Sequence, residues 1–367
     1  MRTEAVAAAT LDTYKRAARA AFFSKADALV PDEVLRSLPR AKAAFAGTAA
    51  QHLTERVEAV VGSAPSKIEF LRGQGTFHAV FRIEAASRVL YARTSVPSIP
   101  EPALDFLLDA WAAEELPRHG IPTPAVLHVD LSRSRVPFDL ELVAAARGEP
   151  LPGPRDPGAE VGARALGALA ARVHSVACRG FGPLDPAELG EDAARGLHDS
   201  WRDYVVLRLD AHLDACRAAG ALTAEQTRAA RAAFRQAEPL LAGAPSALLH
   251  GDLGNHNVFI EDGEVSALID WEDVAAGDPI FDVASWGTFV GNHERREAFL
   301  RGYGEPGGLP ADFELRYWLY YLRIMLAKTV HRQRFGYALS DRIPAGARLA
   351  PALEAVCARM DGGDGGA

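Results

Sequence analysis

A stretch rich in proline and glycine near the middle of the chain separates two regions with different hydrophobic periodicity. It reads RGEPLPGPRDPG and covers residues 147–158. Proline removes a backbone donor and glycine loosens the backbone, so the stretch is typical of neither a helix interior nor a central strand. Apolar residues before it often alternate as in strands, whereas those after it repeat mostly at helical spacing. The pattern predicts two lobes that meet near this boundary.

The region before the boundary contains five predicted strands and one helix. The segment at 66–95 predicts three strands in a meander, with a glycine-rich link between the first two. An amphipathic helix is predicted within 101–120, and two further strands within 123–130 and 136–146. Residues 1–60 are rich in alanine at helical spacing and predict helices ahead of the sheet.

The region after the boundary is predicted to be mostly helical. Its helices are expected at 158–177, 197–219, 223–242 and 310–334. Strands followed by a helical half with one embedded hairpin indicate a two-lobed α+β chain.

Charge and cysteine content exclude several classes of protein. The formal net charge is −8 and the pI is near 5.8, so neither a broad basic face nor a nucleic-acid partner is expected. The three cysteines Cys178, Cys216 and Cys357 are far apart and match no zinc pattern, which favours a reducing cytoplasm. We expect no signal peptide and no membrane partner, because the chain lacks an unbroken apolar segment of either kind.

A tight hairpin is predicted at the most polar part of the helical half. The apolar runs NVFI and VSALID flank EDGE, in which Asp262-Gly263 is a strong turn signal. Folding the chain about that turn brings Asn257 and Asp270 to the open end of the hairpin. Asp252, in the segment HGDLGNHN, lies a few residues upstream at the same end.

These three residues are of the types that phosphoryl transfer requires. Amide and carboxylate oxygens from Asn257 and Asp270 suit Mg²⁺, and the carboxylate of Asp252 can take a proton from an attacking hydroxyl. The alternative is that all three only cap turns. The spacing of Asp252 and Asn257, as in kinase catalytic loops, favours the catalytic interpretation.

The stretch LLHGDLGNHNVFI…VSALIDWEDVAAGDPIFDVA resembles the aminoglycoside phosphotransferase family, small-molecule kinases with a protein-kinase-like fold. The resemblance implies that Asp252 orients the acceptor hydroxyl and that Asn257 and Asp270 hold the metal. It implies that the remaining polar residues support the loop, namely His250, Asp278 and Asp282. The segment around the last two is also consistent with a simple turn and helix start.

The resemblance also implies nucleotide-binding residues in the first lobe. Arg93 stands where the family has a lysine on the nucleotide phosphates, and Asp109 stands at the position of its glutamate partner. Glu101 and Asp105 are alternative partners for Arg93. The other implied nucleotide-binding residues are Gly73, Gly75 and Thr76 in the glycine-rich loop, and Val143, Ala144 and Ala145 beside the adenine.

The implied fold has a five-stranded antiparallel N-lobe sheet with a helix and a larger, mostly helical C-lobe. Residues 61–146 would form the nucleotide-binding N-lobe, and 147–358 the catalytic and substrate-binding C-lobe. A helical extension at 1–60 precedes them, and a disordered tail at 359–367 follows.

The implied activity is transfer of the γ-phosphate of ATP or GTP to a hydroxyl of an antibiotic, with Mg²⁺ as cofactor, conferring resistance. A kinase of choline, homoserine or a sugar is an alternative, as is a non-catalytic nucleotide-binding protein. Candidate substrate contacts are Glu272, Asp273, Tyr320, Arg323 and His331. The first two could instead cap a turn. The sequence leaves open the acceptor hydroxyl, the choice of nucleotide and the oligomeric state.

Overall fold

The computed structural model describes residues 8–99, 101, 103–153, 156–189, 193–304, 308–337 and 345–361. Within these ranges the chain forms two lobes, each around its own hydrophobic core. None of the helices described there combines the length and the low charge needed to cross a membrane.

Three helices precede the first sheet. They are α1 (Ala8–Arg19), α2 (Ser24–Asp27) and α3 (Asp32–Val61). Helix α3 has Asp32 and Glu33 in its first turn, where the helix dipole favours negative charge, and it ends at Gly62 in the left-handed conformation. Its buried face, which includes Leu53 and Val57, packs into the core of the first sheet. Helix α3 of the predicted extension is therefore part of the N-lobe core, whereas Phe22 and Ala26 belong to the core of the second lobe.

The first lobe contains a five-stranded antiparallel sheet, as predicted. Its strands are β1 (Lys67–Phe70), β2 (Ala79–Ala85), β3 (Arg88–Thr94), β4 (Val126–Asp130) and β5 (Leu140–Ala144). Their order is β1-β2-β3-β5-β4. Every second residue of β2 is buried, so one face of the strand packs into the core. Helix α4 (Asp105–Glu115) packs beside β4, and a short 3₁₀ turn at Leu116–His119 ends at Gly120.

The second lobe is larger and mostly helical. Its helices are α5 (Ala159–His174), α6 (Trp201–Val206), α7 (Leu209–Ala218), α8 (Ala224–Gln236), α9 (Glu238–Ala242), α10 (Pro279–Gly287), α11 (Arg296–Tyr303), α12 (Phe313–Arg334) and α13 (Ala345–Asp361). Its short strands are β6 (Glu149–Pro150), β7 (Phe181–Leu184), β8 (Gly196–His198), β9 (Ala247–Leu249), β10 (Val258–Glu261), β11 (Glu264–Leu268) and β12 (Ala275–Gly277). The strands form two small sheets, in the orders β11-β10-β6 and β8-β7-β12-β9.

Several predicted boundaries change in the structure. The helix expected at 197–219 is two helices, because Arg208 adopts a left-handed conformation with φ of 61° between α6 and α7. The helix expected at 223–242 breaks before Pro239, which lacks the amide needed to continue the hydrogen-bond ladder. Helix α13 continues to Asp361, so residues 359–361 are helical rather than a disordered tail. Residues 362–367 lie outside the described residues.

Candidate active site

The predicted hairpin is confirmed, with its turn at Asp262-Gly263. Strands β10 and β11 pair antiparallel, with Val258 opposite Leu268 at the open end. Asp262 and Gly263 have φ values of 54° and 84°, the pair of left-handed conformations that a tight type I′ turn requires. Asn257 immediately precedes β10 and Asp270 follows β11 by two residues, so both candidate metal ligands lie at the same end.

Asp252 lies in the loop between β9 and the hairpin, and two buried residues hold that loop. The carboxylate of Asp282 accepts hydrogen bonds from the backbone amides of His250 at 2.6 Å and Gly251 at 3.0 Å. His250 is fully buried, and its Nε2 lies 2.9 Å from the carbonyl of Ile269. These contacts place His250 and Asp282 behind the loop rather than in an open pocket.

Asp278 supports the same region through the start of α10. Its side chain caps that helix by accepting from the amide of Ile280 at 3.1 Å. It also accepts from Arg316 at 3.1 Å and from the hydroxyl of Tyr320 at 2.7 Å. Helix α10 carries Asp282, so both earlier interpretations of this segment hold: Asp278 starts a helix, and that helix braces the loop.

Arg93 joins the two lobes through a cluster of carboxylates. It forms close ion pairs with Asp109 of α4 and with Glu272, which follows the hairpin, and a 3.3 Å pair with Glu141 of β5. Burial by itself would lower the pKa of Arg93, but these carboxylates outweigh it and hold the pKa well above its ordinary value. Asp109 also accepts from the backbone amide of Trp271 at 2.8 Å. The cluster therefore fixes the N-lobe against the hairpin.

The alternative partners of Arg93 are less closely placed. Asp105 lies 3.7 Å from Arg93 and is 2.7 Å from the imidazole of His78. Among the described residues, Glu101 forms no ion pair with Arg93.

A cleft of about 960 Å³ separates the lobes. The predicted nucleotide-binding residues that line it are Gly73, Gly75, Thr76, Arg93, Asp109, Val143 and Ala144, together with Asn257 and Asp270 from the hairpin. Ala145 is not among the residues that line this cleft. The amide of Ala145 donates to the carbonyl of Val89 at 3.2 Å, while Ala146 faces the cleft instead.

The glycine-rich loop lines this cleft, and its own fold requires a glycine at position 75. Gly75 has φ of 66°, and a Cβ there would lie 2.7 Å from the carbonyl oxygen of His78. The buried ammonium of Lys42 in α3 donates to the carbonyls of Gln74 and Gly75 at 3.1 and 2.7 Å. Because the lysine binds these carbonyls, the loop is held from the side of the N-terminal helices. Sequence reasoning missed Lys42, which belongs to a segment without a recognisable motif.

A second, smaller cavity of about 250 Å³ lies on the other side of Asp252. Its polar lining includes Asp252, Glu272, Asp273 and Lys328. Much of its apolar lining is aromatic. Tyr14, Phe22 and Phe23 come from the N-terminal segment, and Trp201, Tyr204 and Phe281 come from the second lobe. We call this space the acceptor cavity. Asp252 lines both cavities and therefore lies between them.

Lysines outside the motif determine the charge at Asp252. Lys25 of α2 lies 3.3 Å from its carboxylate, and Lys328 of α12 also faces it. Burial would raise the pKa of Asp252, but the two lysines outweigh burial and hold that pKa below its ordinary value. Burial lowers the pKa of Lys328 to about 8. The carboxylate of Asp252 is therefore ionised at neutral pH and can accept a hydrogen bond.

Three of the predicted substrate residues lie near the two cavities. Glu272 pairs with Arg93, and Asp273 accepts from Lys25 at 3.1 Å, so both carboxylates already have cationic partners. His331 lines the interlobe cleft rather than the acceptor cavity.

The other two predicted substrate residues lie in the core, which corrects the expectation that they face a pocket. Tyr320 is fully buried and binds Asp278 and Trp201. Arg323 is also fully buried, and it donates to the carbonyls of Val205 and Leu207, each at 2.6 Å. These bonds satisfy polar groups inside the C-lobe.

Comparison with known proteins shows to which family this geometry belongs. Residues 67–318 match the model of the phosphotransferase enzyme family. The chain belongs to the phosphotransferase enzyme family. This match contains the hairpin, the loop of Asp252 and the strand of Arg93, and it leaves out α1, α2 and α3.

Individual relatives are more distant from this phosphotransferase. Hygromycin-B 4-O-kinase from Escherichia coli is 29% identical over 172 residues, which are 45% of this chain and 46% of the relative. The chain thus aligns with less than half of that protein's length.

Solved structures share the fold at low sequence identity. Aminoglycoside phosphotransferase APH(4)-Ia, in a ternary complex with AMP-PNP and hygromycin B, matches with a TM-score of 0.59 and 20% identity, covering 86% of this chain and 99% of that one. Choline kinase LicA from Streptococcus pneumoniae matches with a TM-score of 0.58 and 11% identity, covering 85% and 99%. The fold is therefore that of small-molecule kinases, as the resemblance implied.

Proposed function

We propose that this phosphotransferase moves the γ-phosphate of ATP or GTP to a hydroxyl of a small-molecule antibiotic of the aminoglycoside type. The observation that carries the proposal is the position of Asp252 between two cavities, beside the hairpin mouth that presents Asn257 and Asp270. One cavity is lined by the glycine-rich loop, as a phosphate site would be, and the other is smaller and largely apolar. An acceptor and a phosphate donor entering these cavities would meet at Asp252.

The donor nucleotide would occupy the interlobe cleft. Its phosphates would lie beneath the backbone of Gly73–Thr76, which lines the cleft. Arg93 would contact the phosphates, and Val143, Ala144 and Ala146 would flank the base.

The hairpin mouth fits a magnesium ion. Asn257 uses its amide nitrogen on the carbonyl of Asp252, which leaves its side-chain oxygen for a metal, and Asp270 supplies a carboxylate. Both are hard oxygen ligands. When bound, the ion would neutralise charge on the phosphates.

Asp252 would orient the acceptor. Its ionised carboxylate would accept a hydrogen bond from the hydroxyl and aim the oxygen at the γ-phosphorus. As the new bond forms, the proton would pass to the carboxylate. His250, Asp278 and Asp282 would hold the loop without touching either substrate.

The likeness to a hygromycin kinase supports an antibiotic as the acceptor. The acceptor cavity itself supports a second candidate function. That cavity is only about 250 Å³ and has many aromatic walls, and Lys25 already neutralises Asp273 there. These features favour a small neutral metabolite, such as a sugar, over a large polycation. For either function we propose a cytoplasmic location, because the nucleotide is available there and three free cysteines persist there.

A turnover panel tests the proposal. Purified protein is given Mg-ATP or Mg-GTP with hygromycin B, other aminoglycosides, choline, homoserine and simple sugars, and nucleoside diphosphate and phosphorylated product are measured together. Phosphorylation of an antibiotic supports the first candidate, and phosphorylation of a metabolite alone supports the second. A protein that binds nucleotide and phosphorylates none of these compounds would point to the non-catalytic alternative.

A further inference from the structure

Lys25 lies where the two cavities meet. Its side chain lines the interlobe cleft, while its neighbours Phe23 and Ser24 line the acceptor cavity. Its ammonium nitrogen lies 3.1 Å from Oδ2 of Asp273 and 3.3 Å from Oδ2 of Asp252. A positively charged side chain therefore lies beside Asp252, the residue proposed to orient the hydroxyl that accepts the phosphate.

The ammonium retains hydrogen-bonding capacity for a ligand. A protonated lysine has three donors, and Asp252 and Asp273 accept from two of them. Glu272 lies 3.5 Å away, at ion-pair distance without hydrogen-bond geometry. Within the described ranges Lys25 makes no third hydrogen bond, so one donor is available for an oxygen of a bound molecule.

The segment that carries Lys25 is held on both sides. Arg334 at the end of α12 donates to the carbonyl of Ala28 at 2.8 Å. The hydroxyl of Tyr204 donates to the carbonyl of Phe22 at 2.8 Å. Helix α2 also packs directly against α12. The position of the ammonium is therefore set by the C-lobe, as a group that contacts a reacting phosphate requires.

The charge balance explains why a cation is needed there. Burial alone would lower the pKa of Lys25, but Asp273, Asp252 and Glu272 outweigh it and keep that pKa well above its ordinary value. A buried ion pair stabilises a fold poorly, because desolvation offsets the attraction. A nucleoside triphosphate would add further negative charge to this acidic site. Arg93, the other cation here, already pairs with several carboxylates.

We propose that Lys25 binds the transferring phosphoryl group and stabilises the negative charge on its oxygens. The inference rests on the proposed function. The acceptor oxygen forms a bond to the γ-phosphorus as the bond from that phosphorus to the β–γ bridging oxygen breaks. The hydroxyl proton leaves through Asp252 to solvent, and Lys25 stays protonated. The residue lies outside the 67–318 match, so family membership does not assign this role.

The test uses a mimic of the transferring group, so it does not require the acceptor to be known. Binding of Mg-ADP is measured by calorimetry with and without aluminium fluoride, for the full chain and for Lys25→Met and Lys25→Arg. Transition-state mimics commonly bind about 10² times more tightly or better, so we expect the wild type to tighten by at least about 100-fold. Lys25→Met should bind Mg-ADP as the wild type does but lose most of the tightening, and Lys25→Arg should keep part of it.

Lys67→Met is the matched control, because Lys67 is exposed and pairs with Glu69 on the surface of β1. Melting curves check folding, and if Lys25→Met is unfolded, Lys25→Gln replaces it. If aluminium fluoride increases Mg-ADP affinity in the Lys25 variant as much as in the wild type, Lys25 serves only in ion pairs and the inference is wrong. Faster turnover in the variant would also overturn it, because Lys25 would then block the acceptor. A wild type that binds no Mg-ADP would instead reject the proposed function, and this inference with it.

Discussion

The side-chain amide of Asn257 donates a 3.0 Å hydrogen bond to the backbone carbonyl of Asp252. This contact ties a candidate metal ligand to the loop of the candidate base. The backbone amide of Ile269 in turn donates to the carbonyl of Asn257 at 2.9 Å, next to the second candidate ligand Asp270. The three residues therefore belong to one hydrogen-bonded unit, so the effect of a substitution at one of them can be attributed to this site.

Asp252→Asn should lower turnover far more than nucleotide affinity. A positioned base contributes about 10²–10⁴-fold, which corresponds to about 3–5 kcal/mol of transition-state stabilisation. Asparagine is nearly isosteric, so the melting temperature should change little. Turnover with the best acceptor is compared with Mg-ADP affinity, and Asp262→Asn in the exposed hairpin turn is the control. Near-normal turnover in folded Asp252→Asn would remove Asp252 from the mechanism.

Arg93→Ala should lower both nucleotide affinity and stability. Removal of the guanidinium would leave Asp109, Glu141 and Glu272 buried without their cation. Breaking a buried pair in this way costs about 3–5 kcal/mol. The free energy of unfolding and nucleotide affinity are measured for Arg93→Ala and Arg93→Lys, beside Arg82→Lys on the exposed face of β2. Unchanged stability in Arg93→Ala would show that the cluster is not coupled as the distances indicate.

Asp270→Asn should weaken the effect of magnesium on nucleotide binding. The variant loses the charged ligand at the hairpin mouth but keeps the shape of the side chain. Calorimetric titration of ADP, with magnesium and after its removal by chelation, should show that the metal increases affinity for the wild type and does so much less for the variant. If magnesium increases ADP affinity equally in the two proteins, Asp270 is not a ligand of the ion.

Gly251→Ala should disrupt the site, whereas Gly263→Ala should not. Both glycines have φ of 84°, so both substitutions carry the same left-handed backbone cost of about 1–2 kcal/mol. A Cβ at Gly251 would also lie 1.9 Å from the carbonyl oxygen of Asp273, while a Cβ at Gly263 would meet open space. Turnover and unfolding free energy are compared for the pair. Equal losses in both variants would contradict close packing of the loop against Asp273.

His331 should make the free energy of unfolding depend on pH in the mildly acidic range. Burial lowers its pKa from 6.5 to about 4, so between these values the unfolded chain binds a proton that the folded chain does not. The free energy of unfolding should therefore fall as pH falls from about 7 to about 4, by up to about 3 kcal/mol at roughly 1.4 kcal/mol per pKa unit. His331→Gln should remove this contribution, and His119→Gln, at an exposed position, should not. Identical pH profiles for wild type and His331→Gln would show that His331 titrates normally.

Local sequence determined the strand meander, the Asp-Gly turn and the group formed by Asp252, Asn257 and Asp270. These features depend on residues close together in the chain, where side-chain period and turn chemistry act directly. The pairing of Arg93 with Asp109 could also be predicted, although only from a resemblance. The sequence could not show that Glu272 would reach the same arginine from the other lobe, 179 residues away.

Only the tertiary structure decided which residues of α12 reach a cavity and how the N-terminal helices take part. That helix is buried on nearly all sides, so its period does not distinguish a core residue such as Tyr320 from a cavity residue such as Lys328. Lys25 belongs to a four-residue helix without a motif and meets Asp252 across 227 residues. Contacts of this kind arise from the packing of whole elements, and no local pattern of residues encodes them.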